Sequence, residues 1–473
     1  MSEGGMEFDM PPSEMPAPTT GTPHPHNLWF LENTGQTITD YQNTTLIGTP
    51  GADIDILQAW ERSQGDSSIL VAILDSGIDK SHPEFAGRLY THELVYTCPA
   101  PTCSPQPCTP ACPSISKLWP CCSGSGCTFG DASESQGHGT AVASVLAANT
   151  NNGGPATSPS LNDDQFAGVD PSCTLVIVRV SHFNQVFFGT VMDGLEDLYY
   201  DSRFEDVRVI NFSLNGFDCP VEDEDLLLSL DDLHSIVQLH YYAGRVIVAI
   251  SGNFGTQTGT CPNVWPEVIT VGATTNEDEW YSGSNWFSGL DFVAPGWGMY
   301  TALWESACTG TAGFIPQYGN GTSAAAPVVS GIASLLFARA DKLGITLTPD
   351  MVYECLKESA EAVTSPTPAA SYQGWGRVNA LGALMALEEL YYDCKADLTH
   401  TNDPGDWGYS VPDGVVDQAD LDYFTYWHGQ GNLAIADVAS CSNCETLSCG
   451  NPNGIVNLDD YVMFLCWWNE GCP

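Results

Sequence analysis

Residues 69–79 read ILVAILDSGID, an apolar run that ends in an aspartate. An uninterrupted apolar run is typical of a strand buried on both faces, whereas a strand with one solvated face alternates apolar and polar residues. Segments with helical patterning separate four similar runs, at 175–180 (LVIVRV), 207–212 (VRVINF), 246–250 (VIVAI) and 268–271 (VITV). The sequence therefore predicts the α/β class, with a mostly parallel sheet covered by helices on both faces.

Polar residues follow three of these runs. The first run ends in Asp75-Ser76-Gly77, the third continues into Ser213-Leu214-Asn215, and the fourth continues into Ser251-Gly252-Asn253. In open parallel sheets, ligands bind beyond the carboxyl ends of the strands. We therefore expect the chemistry of this protein at that edge of the sheet.

Three segments carry a possible catalytic set: AILDSGID around Asp75, GHGTAVASVLAA around His138 and NGTSAAAPVVSGIASLL around Ser323. A carboxylate that ends a buried strand needs a hydrogen-bonding partner, and an imidazole can be that partner. Taken singly, these residues are more typical of a turn, a solvated histidine and a helix cap than of a catalytic site. Together, in the chain order Asp, His, Ser, they predict a serine nucleophile, a histidine base and an orienting aspartate.

Residues 27 to 393 resemble the subtilisin family (subtilases) of serine peptidases. The resemblance rests on AILDSGID, GHGTAVAS and GTSAAAP, and on VINFSLNG, SGNFG, WPEVITVGAT, LDFVAPG and GWGRVNA in family order. It implies a subtilisin-like peptidase domain that cleaves proteins or peptides, with Asp75, His138 and Ser323 as catalytic triad. It also implies that Asn253 is the oxyanion-hole side chain.

The same resemblance implies that Ser213, Leu214, Asn215 and Gly252 bind substrate, the first three by pairing with its backbone. Two residues depart from the family pattern. Asn215 stands where glycine is common, and Phe254 follows the oxyanion asparagine where a small or acidic residue is common. These departures favour a narrowed or apolar P1 site that takes small or medium apolar residues.

The charge balance excludes some partners. The 473 residues contain 13 Lys and Arg against 58 Asp and Glu, a formal net charge of −45. Such a chain has too few basic residues to attract phosphate backbones or anionic lipids, so we expect no nucleic-acid partner. We also expect no membrane span, no redox or organic cofactor, and a monomer.

Eighteen cysteines indicate an oxidising compartment, and seven of them fall in a Pro-rich insertion at about 97–130: Cys98, Cys103, Cys108, Cys112, Cys121, Cys122 and Cys127. Disulfides and a zinc cluster are both compatible with these residues, and their irregular spacing favours disulfides. We therefore expect an extracellular or cell-surface protein, although no signal-peptide pattern is visible in the chain. Residues 1–26 are Pro-rich and predict a disordered arm.

The resemblance also implies a calcium site in the peptidase domain. Glu84, in SHPEF, matches an acidic calcium ligand of related enzymes, and the loop 149–166 lies where the family often closes that site. Hard oxygen ligands suit calcium. An exposed acid beside a solvated polar loop is the alternative.

Residues 394–473 contain a repeat, because 396–427 aligns without a gap to 436–467. Each copy has a D/N-G-V/I-V-D/N-x-x-D motif before an apolar helix, which matches the second half of an EF-hand loop and resembles a dockerin-type pair of calcium loops. The candidate ligands are Asp397, Asp413, Asp417 and Asp420 in the first copy, and Asp437, Asn453, Asn457 and Asp460 in the second. The first acid of each copy stands 17 residues before the glycine instead of five, so each loop has an insertion or lacks its first ligand. The alternative is a small acidic domain tied by disulfides.

The leading hypothesis is a secreted serine endopeptidase with a calcium-stabilised C-terminal module that docks to a protein or a cell surface. The alternative is a non-catalytic extracellular binding or scaffold protein built on a peptidase fold. All four catalytic positions are filled, which favours the enzyme.

Overall fold

The structure is a computed structural model, and it describes residues 6–7, 28–39, 45–80, 82–95, 137–149, 167–182, 185–186, 188–214, 216, 224–302, 317–363 and 374–392. The Cys-rich insertion, Asn215, the loop 150–166 and the module 394–473 lie outside these residues. The chain divides into two compact units, Met1–Leu384 and Met385–Pro473, so the division falls before the predicted domain boundary at residue 393.

The described strands are β1 Met6–Glu7, β2 Thr37–Thr39, β3 Thr45–Ile47, β4 Leu70–Asp75, β5 Leu94–Val95, β6 Thr174–Arg179, β7 Ser181–His182, β8 Gln185–Val186, β9 Val207–Phe212, β10 Val246–Ile250, β11 Val268–Thr274, β12 Phe292–Pro295, β13 Met299–Thr301 and β14 Gln317–Gly319. A seven-stranded parallel sheet forms the centre of the first unit, in the order β12-β11-β10-β9-β4-β6-β5. Smaller sheets have the orders β1-β8-β7, β2-β3 and β13-β14. These elements confirm the predicted α/β class and parallel sheet.

Seven α-helices lie in the described part of the chain: α1 Ile56–Arg62, α2 His138–Ala147, α3 Phe188–Tyr200, α4 Glu224–Tyr242, α5 Thr322–Leu343, α6 Pro349–Ser359 and α7 Ala380–Tyr392. Every residue of β4, β10 and β11 is buried, which explains their uninterrupted apolar runs. The chain passes from β4 to β5 at the edge of the sheet, returns to β6 beside β4, and then crosses to β9 on the other side of β4. The strand order therefore reverses at β4, which is where open α/β sheets form their ligand crevice.

The helix α5 is the central helix of this unit and packs against β9, β10, β11 and β12. By length and composition it could cross a membrane, but 89% of its apolar window is buried inside the protein. Its composition is therefore that of a core helix. Gly331 allows close packing, because a methyl group there would lie 2.6 Å from Cβ of Val169.

Two residues of the N-terminal arm form a strand. Met6 pairs with Val186 and Glu7 pairs with Gln185, so β1 adds antiparallel to the hairpin of β7 and β8. We expected residues 1–26 to be disordered, but these two residues form a strand. Sequence patterning does not reveal this pairing, because it depends on the backbone hydrogen-bonding groups at the free edge of β8. The rest of the arm lies outside the described residues.

His240 and Arg245 form a fully buried pair at the end of α4. His240 Nε2 donates to the carbonyl oxygen of Leu195 at 2.9 Å, and Arg245 Nη1 donates to His240 Nδ1 at 3.1 Å. Burial, with a smaller contribution from the charge of Arg245, lowers the pKa of His240 to about 3. The native protein therefore holds this imidazole neutral.

This pair predicts acid sensitivity of the fold. Because the native pKa of His240 lies below its unfolded value of about 6.5, its stabilising contribution is complete above pH 6.5 and is lost as the pH falls toward 3. Between pH 6.5 and 5 the loss is about 2 kcal/mol of unfolding free energy. Denaturant unfolding at both pH values should show a smaller loss in His240→Gln, whose amide also donates and accepts, and equal losses in the two proteins would contradict the prediction.

Candidate active site

Asp75 and His138 meet at the carboxyl end of β4. Nδ1 of His138 lies 2.8 Å from Oδ1 and 3.0 Å from Oδ2 of Asp75, whose side chain is 1% exposed. The backbone N–H of Ser76 also donates to Asp75 Oδ1, at 2.7 Å. A carboxylate only accepts hydrogen bonds, so Nδ1 of His138 carries the proton of this pair.

The glycine after His138 lets the helix approach the strand. A methyl group at Gly139 would lie 2.0 Å from the carbonyl oxygen of Gly77 and 3.1 Å from Asp75 Oδ1. In this close approach, the N–H of Gly139 donates to Oγ of Ser76 at 3.0 Å. The first turn of α2 is thus hydrogen-bonded to the end of β4, which aims His138 at the carboxylate.

Ser323 lies in the first turn of α5 and contacts Ser213, the residue that follows β9. Oγ of Ser213 donates to the carbonyl oxygen of Ser323 at 3.2 Å, and Oγ of Ser323 lies 3.5 Å from the carbonyl oxygen of Ser213. Leu74 of β4 pairs with Phe212 of β9, so Asp75 and Ser213 end neighbouring strands. Neighbouring strands are about 4.8 Å apart, so the same sheet edge holds the three predicted segments.

Asn253 follows β10 and faces the start of α5. Its Oδ1 accepts from the backbone N–H of Thr322 at 2.8 Å and from Thr322 Oγ1 at 2.9 Å. Gly321 is required here, because its φ is +91° and a methyl group on it would lie 2.7 Å from Asn253 Oδ1. Since both bonds use the oxygen, the Nδ2 donor of Asn253 points away from Thr322.

Asn285 is a site residue that the sequence analysis missed. It is buried, and its Oδ1 accepts from the N–H of Phe254 at 3.0 Å and of Thr256 at 3.2 Å. Its own N–H donates to the carbonyl oxygen of Gly252 at 2.9 Å. Asn285 therefore holds the loop that carries Asn253, and its sequence context, GSNW, has no pattern that signals this role.

The predicted substrate-binding residues lie at the same edge, apart from Asn215, which is outside the described residues. Ser213 and Leu214 are buried beyond the end of β9, whereas Phe254 is 67% exposed. Gly216 lies against the loop after β10, since a methyl group on it would be 2.3 Å from Thr260 Oγ1. Gly252 has a φ of +105° and lies against Asn285.

A model of the subtilase family matches residues 66–376, which is more than half of the chain. The chain belongs to the subtilase family. The family match covers Asp75, His138, Asn253 and Ser323, so the geometry above belongs to the matched region.

Two curated relatives of this subtilase are named as proteases. A thermophilic serine proteinase of Bacillus sp. (strain AK1) is 28% identical, over 69% of this chain and 64% of that protein. An extracellular protease of Xanthomonas campestris pv. campestris is 27% identical, over 72% of this chain and 55% of that protein. The chain thus spans less than two thirds of the length of either relative. A solved lanthipeptide protease shares the fold, with a TM-score of 0.53 at 18% identity, over 76% of this chain and 94% of that one.

The candidate calcium ligand Glu84 of this subtilase lies in a buried turn. Its carbonyl oxygen accepts from the N–H of Asn149 at 2.9 Å, so the start of the loop 149–166 adjoins it. Burial lowers the pKa of the neighbouring His82. Within the described ranges no group of three or more His, Cys, Asp or Glu could hold a metal ion. The eight candidate ligands of the C-terminal repeat lie outside those ranges.

Proposed function

We propose that this subtilase hydrolyses peptide bonds through Ser323, His138 and Asp75. The observation that carries the proposal is the hydrogen bond between His138 Nδ1 and the buried carboxylate of Asp75. Because Nδ1 carries the proton, the Nε2 atom of the neutral ring has the lone pair of a general base. Ser323 attacks the scissile carbonyl, His138 takes its proton and returns it to the leaving amine, and Asp75 stabilises the imidazolium.

The test is covalent labelling with a serine-directed phosphonyl fluoride. Its phosphorus forms a bond to Oγ of the nucleophile and fluoride leaves, with the serine proton passing to the base. We expect one label per folded molecule on the peptide that contains Ser323, and none in Ser323→Ala. A folded wild-type protein that stays unlabelled would favour the non-catalytic scaffold instead.

Asn253 is proposed as the side-chain donor of the oxyanion hole, with the backbone N–H of Ser323 as the second donor. Its oxygen is held by Thr322, so its Nδ2 is presented in a fixed direction. Donors that are fixed before the reaction stabilise the oxyanion without reorganisation. This arrangement stabilises the transition state more than the bound substrate.

Replacing Asn253 with aspartate tests this role, because the oxygen that Thr322 needs remains while the donor is lost. We expect kcat to fall about 10²- to 10³-fold with little change in KM, a magnitude taken from the equivalent donor of subtilisin and not calculated from this chain. Steady-state kinetics on a peptide substrate measure both constants. A raised KM at unchanged kcat would assign Asn253 to ordinary substrate binding.

We propose that substrates bind as an added strand along Ser213, Leu214 and Asn215, with Gly252 lining the same cleft. The exposed ring of Phe254 follows Asn253 and is open to a substrate, whereas the side chain of Leu214 is buried in the hydrophobic core beyond β9. Apolar groups of this kind favour small or medium apolar P1 residues. A cleavage profile over a peptide library tests the preference, and cleavage mainly after charged residues would contradict it.

We propose that the protein works outside the cytoplasm. Cys261 is disulfide-bonded, whereas Cys173 and Cys355 are buried free thiols. Disulfides persist in oxidising compartments, which agrees with the eighteen cysteines of the chain. The name of the Xanthomonas relative, an extracellular protease, supports the same location.

The C-terminal module is proposed to bind calcium and to dock the enzyme to a protein or a cell surface. Residues 394–473 contain 12 acidic residues and one lysine, and such a charge density is relieved by bound cations. The loop 149–166 beside Glu84 is the proposed calcium site of the peptidase domain. In both places carboxylate and amide oxygens would hold the ion.

Removal of calcium should therefore destabilise the protein. A site with calcium at 100 times its dissociation constant contributes about 2.7 kcal/mol, so a chelator should lower a melting transition of the full chain. Titration of calcium alone into the full chain should show fewer bound ions in Asp413→Ala/Asp417→Ala than in the wild-type protein. Identical stoichiometry in the two proteins would contradict calcium binding by the first repeat.

A further inference from the structure

We propose that Asn211 and Ser330 are positioning residues that fix the backbone of the nucleophile through the hydroxyl of Ser213. The inference rests on the proposed role of Ser323 as nucleophile. It concerns a buried chain of hydrogen bonds behind the active site, which links the end of β9 to the first turn of α5.

The chain of hydrogen bonds begins on α5, two helical turns beyond Ser323. Oγ of Ser330 donates to Oδ1 of Asn211 at 2.9 Å, and Nδ2 of Asn211 donates to Oγ of Ser213 at 2.9 Å. Oγ of Ser213 then donates to the carbonyl oxygen of Ser323 at 3.2 Å. Asn211 and Ser330 are each 0% exposed, and Ser213 is 1% exposed.

Pro327 explains why the carbonyl oxygen of Ser323 needs this donor. In an α-helix the carbonyl oxygen of residue i accepts from the N–H of residue i+4, and for Ser323 that residue is Pro327, which has no N–H. Proline early in a helix is tolerated when another group satisfies the carbonyl oxygen. Here the hydroxyl of Ser213 takes the place of the missing N–H.

Asn211 determines the direction of that hydroxyl. An amide nitrogen only donates, so the Ser213 oxygen accepts from Asn211 and its single proton is left for Ser323. Ser330 donates to the amide oxygen of Asn211, which leaves the amide nitrogen for Ser213. A polar side chain in the middle of an apolar strand is costly unless it is bonded, and both ends of Asn211 are bonded.

These hydrogen bonds join two parts of the site whose relative position must be maintained. Ser213 begins the segment proposed to pair with substrate, and Ser323 supplies both Oγ and the backbone N–H of the oxyanion hole. A shift of about 1 Å between a nucleophile and its target can cost about 10²-fold in rate. We therefore expect the network to support kcat more than KM.

The test compares Asn211→Leu and Ser330→Ala with Ser334→Ala, a matched control. Ser334 lies one turn beyond Ser330 on α5, is equally buried, and donates to Asp170 instead of Asn211. We expect kcat to fall about 10- to 100-fold in Asn211→Leu and several-fold in Ser330→Ala, with KM changed less than about twofold. Ser330→Thr, which keeps the hydroxyl, and Ser334→Ala should keep kcat within about twofold of the wild type.

A double-mutant cycle separates positioning from general stability. Pro327→Ala restores an N–H at i+4, so Ser213→Ala should cost less in kcat in the Pro327→Ala background than in the wild type. Each kcat is expressed per molecule labelled by the phosphonyl fluoride, so unfolded protein does not enter the comparison. If Asn211→Leu does not fold, this cycle and the pair of serine variants still decide the question.

Two results would overturn the inference: equal losses of kcat in Ser330→Ala and Ser334→Ala, or identical costs of Ser213→Ala in the two backgrounds. Neither result affects the proposed peptidase activity, provided that the wild-type protein is labelled at Ser323. An unlabelled wild-type protein would instead remove the proposed function itself.

Discussion

Ser323→Ala is expected to lower kcat by about 10⁶-fold, a magnitude measured for the loss of this group in subtilisin and not calculated from this chain. The substitution removes the oxygen that would form the acyl bond, so His138 has no hydroxyl from which to take a proton. Some rate acceleration over water should remain, because the oxyanion donors and substrate binding are retained.

The fold should tolerate this substitution. Ser323 is half-buried in a helix that continues with three alanines, and its Oγ makes a long contact of 3.5 Å with the carbonyl oxygen of Ser213. The melting temperature should therefore match that of the wild-type protein, while turnover of a peptide substrate is measured on both. Loss of less than about tenfold in kcat would show that another residue is the nucleophile, since removal of a nucleophile abolishes its reaction path.

The sequence predicted the parts of the fold and site that depend on local patterns. Uninterrupted apolar runs marked the buried strands, and Asp75, Ser213 and Asn253 follow such runs, so their common edge could be inferred from parallel pairing. His138 and Ser323 begin helices of small residues, and Gly139 shows why small residues matter there. These inferences required no knowledge of which side chains meet.

The remaining features depend on contacts between residues far apart in the chain. Asn285 acts on the loop of Asn253 through hydrogen bonds across about thirty residues, and Ser330 reaches Asn211 across 119 residues. An isolated asparagine or serine has no periodicity that would mark it, because its role depends on which tertiary neighbour satisfies it. The pairing of Met6–Glu7 with β8 was unpredictable for the same reason, because an edge strand accepts almost any extended segment.

Asp75→Asn should lower kcat by about 10⁴-fold, the size reported for the same change in another serine-protease fold. The N–H of Ser76 donates to Oδ1, so the amide oxygen of the new asparagine would keep that position. Its NH₂ group would then occupy the position of Oδ2, 3.0 Å from His138 Nδ1. The amide oxygen, 2.8 Å from Nδ1, could still accept the ring proton, but the NH₂ group only donates and would face that proton. The negative charge that stabilises the imidazolium would also be lost.

A neutral amide cannot stabilise the imidazolium that forms when His138 takes the proton of Ser323, so the loss should appear in kcat while KM and the melting temperature change little. Asp79→Asn is the matched control, because it removes the same charge from the loop that follows β4, at a residue whose N–H donates to Thr140 Oγ1. We expect Asp79→Asn to keep kcat close to the wild-type value. Equal losses of kcat in the two variants would contradict the prediction. They would show that negative charge near this loop supports turnover, and not the hydrogen bond that orients His138.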